Sequence, residues 1–187
     1  MIQTILLIGA LALNPGAVEE TLNVDKESST VTWKAEKVTG GHTGTIEIKE
    51  GGLVYQEGKL TGGTFTIDMN TIKTDENLDR LEGHLKSDDF FSVEKHPTAT
   101  FEITDVVDQG PRGYNITGNV TIKGITKEIK FVAKIAEVDS NVNAAAEIVL
   151  DRSEFDIRYG SGSFFEGLGD KLIYDNFTLG VNLVVKK

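Results

Sequence analysis

Cysteine is absent from the 187-residue chain. No disulfide frame, thiolate nucleophile or cysteine-bound metal is available, and redox chemistry says nothing about the compartment. Basic residues are also short, since 19 lysines and arginines face 29 aspartates and glutamates for a net charge of −10. That sign argues against nucleic acid as a partner and against simple electrostatic docking on anionic lipid heads. The expected partner is neutral, cationic or apolar. Only three histidines occur. His42, His84 and His96 sit in unlike contexts with no ligand spacing among them, whereas a zinc or di-iron site needs at least three converging ligands. No metal and no cofactor are expected. Long apolar runs are missing too: the longest stretch, from Ile5 to Leu13, is far short of the ~20 residues that span a bilayer.

That first stretch, "MIQTILLIGALALNPGAVEE", fits a secretory signal in its apolar length and its Pro15-Gly16-Ala17 end, although it lacks a basic n-region. Cleavage after Ala17 would divide the chain into a leader, residues 1–17, and an exported mature domain, residues 18–187. The competing readings are a buried first strand and a start site placed too far downstream.

What the sequence does have, nearly to its C-terminus, is alternation, the period-2 mark of half-buried strands. Val31, Trp33 and Ala35 share a phase, as do Ile46 and Ile48, then Phe65, Ile67 and Met69, then Ala99, Phe101 and Ile103. Further runs follow at Tyr114 to Ile122, Ile125 to Ile135, Ala146 to Leu150, Phe155 to Tyr159 and Phe177 to Leu183. Turn signals separate them: Glu50-Gly51-Gly52, Glu57-Gly58-Lys59, Gln109-Gly110-Pro111, Lys123-Gly124 and Asp139-Ser140-Asn141. About eight strands joined by short turns predict a single all-β domain, an antiparallel barrel whose closure removes exposed edges. A two-sheet sandwich gives the same alternation and stays open.

One segment breaks the period. "DENLDRLEGHLK", Asp75 to Lys86, places Leu78, Leu81 and Leu85 at helical spacing with acids in the first turn. Ser87 can cap a second helical turn through Asp88 and Asp89, and Pro97 stops helix from continuing into the next strand. The result is a helical excursion between strands that carries Phe90 and Phe91 towards a barrel mouth.

Catalytic patterns are thin. "GSGS", Gly160 to Ser163, lacks the strand-to-helix elbow of a hydrolase serine and reads as a flexible loop at a barrel mouth. Arg152, Asp156 and Arg158 share the phase opposite Phe155, Ile157 and Tyr159 and read as a solvated stripe; the alternative has one arginine closing a barrel end through ion pairs. Asn115, Asn119 and Asn176 begin Asn-x-Thr triplets, read as chance matches within strands. No catalytic residue is assigned.

Small barrels either fill their interior with side chains or hold one ligand. Small residues on the inward phases, namely Ala35, Gly63, Ala99, Gly118, Ala133 and Ala146, leave volume between the large ones. The expected lining of an apolar cavity is Trp33, Phe65, Ile67, Phe101, Ile103, Ile116, Ile122, Phe131, Ile148, Phe155 and Tyr159, with Phe90 and Phe91 at the mouth.

Five ordered blocks then carry a resemblance: "STVTWKAEKVTGGHTGTI", "GKLTGGTFTIDMNTIKT", "LEGHLKSDDFFSVEKHPTATFEIT", "ITGNVTIKGITKEIKF" and "DRSEFDIRYGSG". From about Asn23 to Val184 the chain resembles the YceI-like family of lipid- and polyisoprenoid-binding proteins. The resemblance implies a lipocalin-like antiparallel barrel, commonly exported, whose long interior holds an isoprenoid lipid such as a quinone or polyprenyl chain. It also implies a helix-containing excursion at "HLKSDDFF", and it brings no catalytic set. His96 stands where many relatives have tyrosine before the proline. The expected function is an exported carrier or reservoir for a long-chain apolar lipid. An enzyme using His42 or His84 on a buried apolar substrate, and a structural or stress-related barrel with a filled core, are the alternatives. Transient membrane contact and the oligomeric state, a homodimer included, stay open.

Overall fold

The computed structural model describes residues 19–186; the leader and its cleavage point lie outside them. Among these residues there are nine strands and one α-helix: β1 (Glu19–Asn23), β2 (Thr30–Lys37), β3 (Gly40–Gln56), β4 (Lys59–Thr74), α1 (Asp79–Lys86), β5 (Thr98–Asp108), β6 (Tyr114–Ile122), β7 (Ile125–Val138), β8 (Asn141–Asp151) and β9 (Ile173–Lys186). The order β3-β2-β9-β8-β7-β6-β5-β4 returns to β3 through a β3–β4 ladder. The sheet is therefore a closed eight-stranded antiparallel barrel rather than a sandwich, with β1 in addition. β1 pairs with the second half of β3 while β2 pairs with the first, and Val24 bridges to Val185 of β9. Strand β1 thus prolongs the line of β2 and seals the wall.

Alternation works here because each strand has one wet and one dry face. In β2, Val31 and Trp33 are buried while Thr32 and Lys34 are exposed. The hairpin turns follow their residues: Glu57-Gly58, Lys123-Gly124 and Asp139-Ser140 all have two successive positive φ angles, the geometry that matches strand twist. Glu50-Gly51-Gly52 is not a turn. Strand β3 runs through it, with a register slip between Ile48 and Glu50. A Cβ on Gly51 would lie 2.6 Å from the Thr64 carbonyl oxygen, so this glycine serves a close strand approach.

Up-and-down connectivity gives the barrel two unlike ends. One carries the excursion containing α1, the 123–124 turn and the long 152–172 connection. The other carries the 57–58, 109–113 and 139–140 turns. Helix α1 starts at Asp79, four residues later than its acidic run suggests, because Thr74 sets the entry. Thr74 Oγ1 accepts from the Leu78 N–H at 2.8 Å and donates to Glu82 Oε1 at 3.0 Å. Glu82 Oε1 also accepts from the Thr74 N–H, and that bond is the main cause holding the Glu82 carboxyl below its ordinary range.

The second helical turn at Ser87 does not form. The Ser87 hydroxyl donates back to the His84 carbonyl at 2.8 Å, while the Ser87 carbonyl accepts from both Phe90 and Ser92 N–H groups. Residues 88–95 run as successive turns. Asp88 pins them by accepting from Lys95 Nζ and from the Ser92 hydroxyl, and both bonds lower its pKa. The run from Phe155 to Tyr159 is likewise not a strand. Strand β8 ends at Asp151, whose side chain caps a 3-10 turn, Arg152–Phe155, by accepting from the Ser153 N–H.

An ion pair between an exposed lysine and a half-buried aspartate ties the far end together, Lys186 Nζ lying 2.9 Å from Asp25 Oδ2. The Lys186 bond and the Ser28 hydroxyl lower the Asp25 pKa from 3.8, and Asp25 raises that of Lys186 from 10.5. A depressed aspartate contributes stability above its unfolded pKa and loses it as pH falls through the folded value. A raised lysine contributes below its unfolded pKa and loses it as pH climbs through the folded value. The pair is thus at full strength between these limits. The thermal midpoints of wild type and Asp25→Asn are expected to differ near neutrality and to converge as pH is lowered below about 4.

Candidate functional site

The inward phases enclose an apolar cavity of about 230 Å³. It runs along the barrel, from Leu60 and Leu183 towards one end to Leu85, Phe90 and Arg152 at the other. Among the described residues, Thr100 and Tyr174 contribute to its wall from the outward, exposed phase of their strands, Arg152 borders it at one end, and the Trp33 indole N–H is committed to the Lys73 carbonyl at 3.1 Å. An apolar cavity of ~150 Å³ already takes up benzene, and drug-sized pockets begin at ~300 Å³. The dimensions suit something slender and apolar.

Eleven of the thirteen residues expected to line a cavity do face it: Trp33, Phe65, Ile67, Phe90, Phe91, Phe101, Ile103, Ile116, Ile122, Phe131 and Ile148. Phe155 and Tyr159 do not. Phe155 is buried in the 3-10 turn beyond the cavity, and Tyr159 is 47% exposed, outside against the rings of His84 and Phe90. Both misplacements follow from reading that segment as strand. Of the small inward residues, Ala35, Ala99, Ala133 and Ala146 line the cavity. The space over Gly118 belongs instead to the Phe101 ring, 2.5 Å from where a Cβ would sit, and that over Gly63 to the Gly52 carbonyl with the Leu53 and Ile103 side chains.

Both ends are plugged. Val142 and Val185, fully buried, and Leu22 fill the end beyond Leu183. At the helical end Phe90 is buried against the His84 ring at 5.0 Å and against Tyr159 at 5.5 Å, while Phe91 is half-buried on the cavity wall. Phe90→Ala is expected to cost about 3–5 kcal/mol of stability. Phe91→Ala should cost clearly less, so thermal unfolding of the two variants separates a plug from a lining residue.

Arg152 is the residue that alternation misjudged. It is 4% exposed, not part of a solvated stripe, and the arginine that closes a barrel end is the reading that holds. Its Nε donates to the Tyr174 carbonyl, Nη1 to those of Ile157 and Tyr159, and Nη2 to that of Ile173, at 2.8–3.2 Å. Nη2 also lies 3.2 Å from Asp175 Oδ1. Burial lowers the guanidinium pKa, with Asp175 and Asp151 opposing; the group stays charged. Four hydrogen bonds to backbone carbonyls and one ion pair make Arg152 a staple for the 152–175 segment. Asp156 and Arg158 remain exposed and paired with each other. The "GSGS" loop is tethered: Ser161 is fully buried and bridges to Ile173, and the Ser163 hydroxyl donates to Asp175 Oδ2 at 2.7 Å.

The histidines are dispersed. His42 Nδ1 lies 3.3 Å from Glu76 Oε1 and His84 Nε2 lies 3.5 Å from Asp89 Oδ2, two separate pairs without a third group. Among the described residues no three His, Asp or Glu side chains could hold a metal ion, and no helix is long and apolar enough to cross a membrane. Asn115 and Asn119 lie in β6 and Asn176 in β9.

The model of the YceI-like domain matches residues 22–185, the whole barrel. The chain belongs to the YceI-like family. A UPF0312 protein of Serratia proteamaculans is 31% identical over 134 residues, 70% of this chain and 69% of that protein. One from Azotobacter vinelandii is 34% identical over 91 residues. In that case, as in several other relatives, the match spans about half the length of the curated protein. Among solved structures, Burkholderia cenocepacia BcnA superposes with a TM-score of 0.70 at 21% identity, covering 86% of this chain and 98% of that one. A domain of Saccharophagus degradans described as polyisoprenoid-binding superposes with a TM-score of 0.66 at 13% identity, covering 89% and 99%. At those identities the likeness concerns the YceI-like fold.

Proposed function

We propose that this protein binds and carries a long, slender apolar lipid of isoprenoid type, a polyprenyl chain or a quinone, inside its barrel. The observation that carries this reading is the cavity: a hydrocarbon-lined tube with both ends plugged, its buried Arg152 committed to four backbone carbonyls. Such a site recognises length and apolarity. Its affinity comes from removing apolar surface from water, at about 25 cal/mol per Å², with little directional polar contact. The polyisoprenoid-binding description of the Saccharophagus domain supports isoprenoid over other chains. Export through removal of residues 1–17 to the periplasm or outside the cell belongs to the same reading, as does brief contact with a donor membrane. The net charge of −10 keeps the protein off anionic surfaces between such contacts.

Organic extraction of protein purified from a bacterial host, followed by mass spectrometry, tests the ligand. Recovery of an isoprenoid lipid in stoichiometric amount, together with saturable uptake of added quinone or polyprenol, is expected. Repeated preparations without lipid and without uptake would overturn the reading. N-terminal sequencing of the same material reads the leader, the expected first residue being Val18.

A further inference from the structure

We propose that the apolar chain enters and leaves sideways, through a slot in the barrel wall between β7 and β8; this rests on the lipid-binding reading above. The β7–β8 ladder runs from Val138 opposite Asn141 only as far as Ala133 opposite Ala146. Beyond that rung, residues 125–132 pair with β6 alone and residues 147–151 with β9 alone. At ~3.3 Å per residue the five unpaired positions of β8 open roughly 16 Å of wall. The far corner is bridged by Lys123 Nζ donating to the Asp156 carbonyl at 2.9 Å.

Burial agrees with the ladder. Ile129, Phe131 and Ile148 point inward beside the slot and line the cavity, yet each is only half-buried. Trp33, Phe65 and Ile116, on other strands of the same cavity, are buried. On the outer face the two lips carry Val132, 51% exposed, and Val149, 56% exposed. An apolar chain leaving a bilayer would meet these two first.

The energetics favour this route over the ends. Passage at the helical end would displace Phe90 and loosen the Arg152 contacts. Passage at the other would expel Leu22, Val142 and Val185 from a packed plug. Widening the slot breaks no backbone hydrogen bond, because none spans it. One other seam is short of pairing, since the β4–β5 ladder ends at Gly63 opposite Ile103. There Leu60 is buried and the seam abuts the packed end.

The absence of native cysteine makes the test clean. Lys130 and Val149 lie three residues beyond the last rung on their strands and both are exposed. Lys130→Cys with Val149→Cys is bridged on the folded protein by a short bis-maleimide, which does not require the strands to close. Thr61→Cys with Asp105→Cys, bridged likewise, serves as control at the β4–β5 seam. Transfer of a polyprenol from phosphatidylcholine vesicles is followed with time. The slot bridge is expected to slow transfer at least about tenfold, a barrier change of ~1.4 kcal/mol, with final loading unchanged and the control bridge at the native rate. Val132→Asp with Val149→Asp, on side chains already exposed, should slow transfer in the same direction. Native-rate transfer by the slot-bridged protein, or equal slowing by the control bridge, would overturn the portal. If the wild-type protein takes up no polyprenol at all, the lipid-binding reading fails first, which is a distinguishable result.

Discussion

Replacing Arg152 by methionine is expected to cost the barrel about 3–5 kcal/mol, the range for removing one partner of a buried ion pair. For a chain of this size that lowers the thermal midpoint by about 10 °C. The loss has two sources. Four carbonyls, those of Tyr174, Ile157, Tyr159 and Ile173, lose that donor, and Asp175 Oδ1, which has no hydrogen-bond partner and only the Arg152 charge beside it, is left as an uncompensated carboxylate oxygen. Lysine does not repair it, because a single ammonium cannot direct donors along the planar fork that reaches four oxygens at once. Arg152→Lys should therefore recover only a minor part of the midpoint. A fall of one or two degrees in Arg152→Met would show that the 152–175 segment is held by packing alone.

Filling the cavity should have the opposite profile: binding lost, fold kept. Ala146 lies on the last β7–β8 rung, opposite Ala133 on one side and Val181 on the other, and all three line the cavity. Ala146→Phe puts a ring into space that a ligand chain would use. If it displaces about four methylenes at ~0.8 kcal/mol each, affinity falls by about 3 kcal/mol, or roughly a hundredfold. The ring enters a cavity rather than a packed core, so overpacking should cost less than the ~1–3 kcal/mol seen in filled interiors. Lipid recovered from purified Ala146→Phe protein, set beside its unfolding midpoint, decides the matter. Native lipid content in a folded variant would place the ligand elsewhere.

Much of this site was legible because a barrel strand shows its inward face in every second residue. Trp33, Phe65, Phe101, Ile116 and Phe131 are where their phases put them. Phe90 and Phe91 were legible for the converse reason, since they sit where the period breaks. Alternation failed where the chain leaves the sheet. Between Asp151 and Ile173 the backbone is held by a guanidinium reaching residues up to 22 positions away, and no local period records that. A polar residue on the outward phase looks solvated until a loop folds over it. The slot was equally hidden. Strands β7 and β8 each alternate normally, and how far two strands zip together is a property of the pair that neither sequence carries alone.

The seam between β2 and β9 has a consequence in time. It is where the ring of strands closes, and it joins positions such as Thr32 and Gly180, 148 residues apart. Contacts of such separation form slowly, because the entropy of bringing the ends together precedes any reward. The hairpins β5–β6, β6–β7 and β7–β8 need no such wait. Until the seam shuts, the folding chain is a curled sheet with its apolar face turned to water, the kind of species that sticks to its own copies. Ten excess negative charges are spread over a chain that must pass through that stage, and their mutual repulsion keeps half-closed molecules apart until the last strand is home.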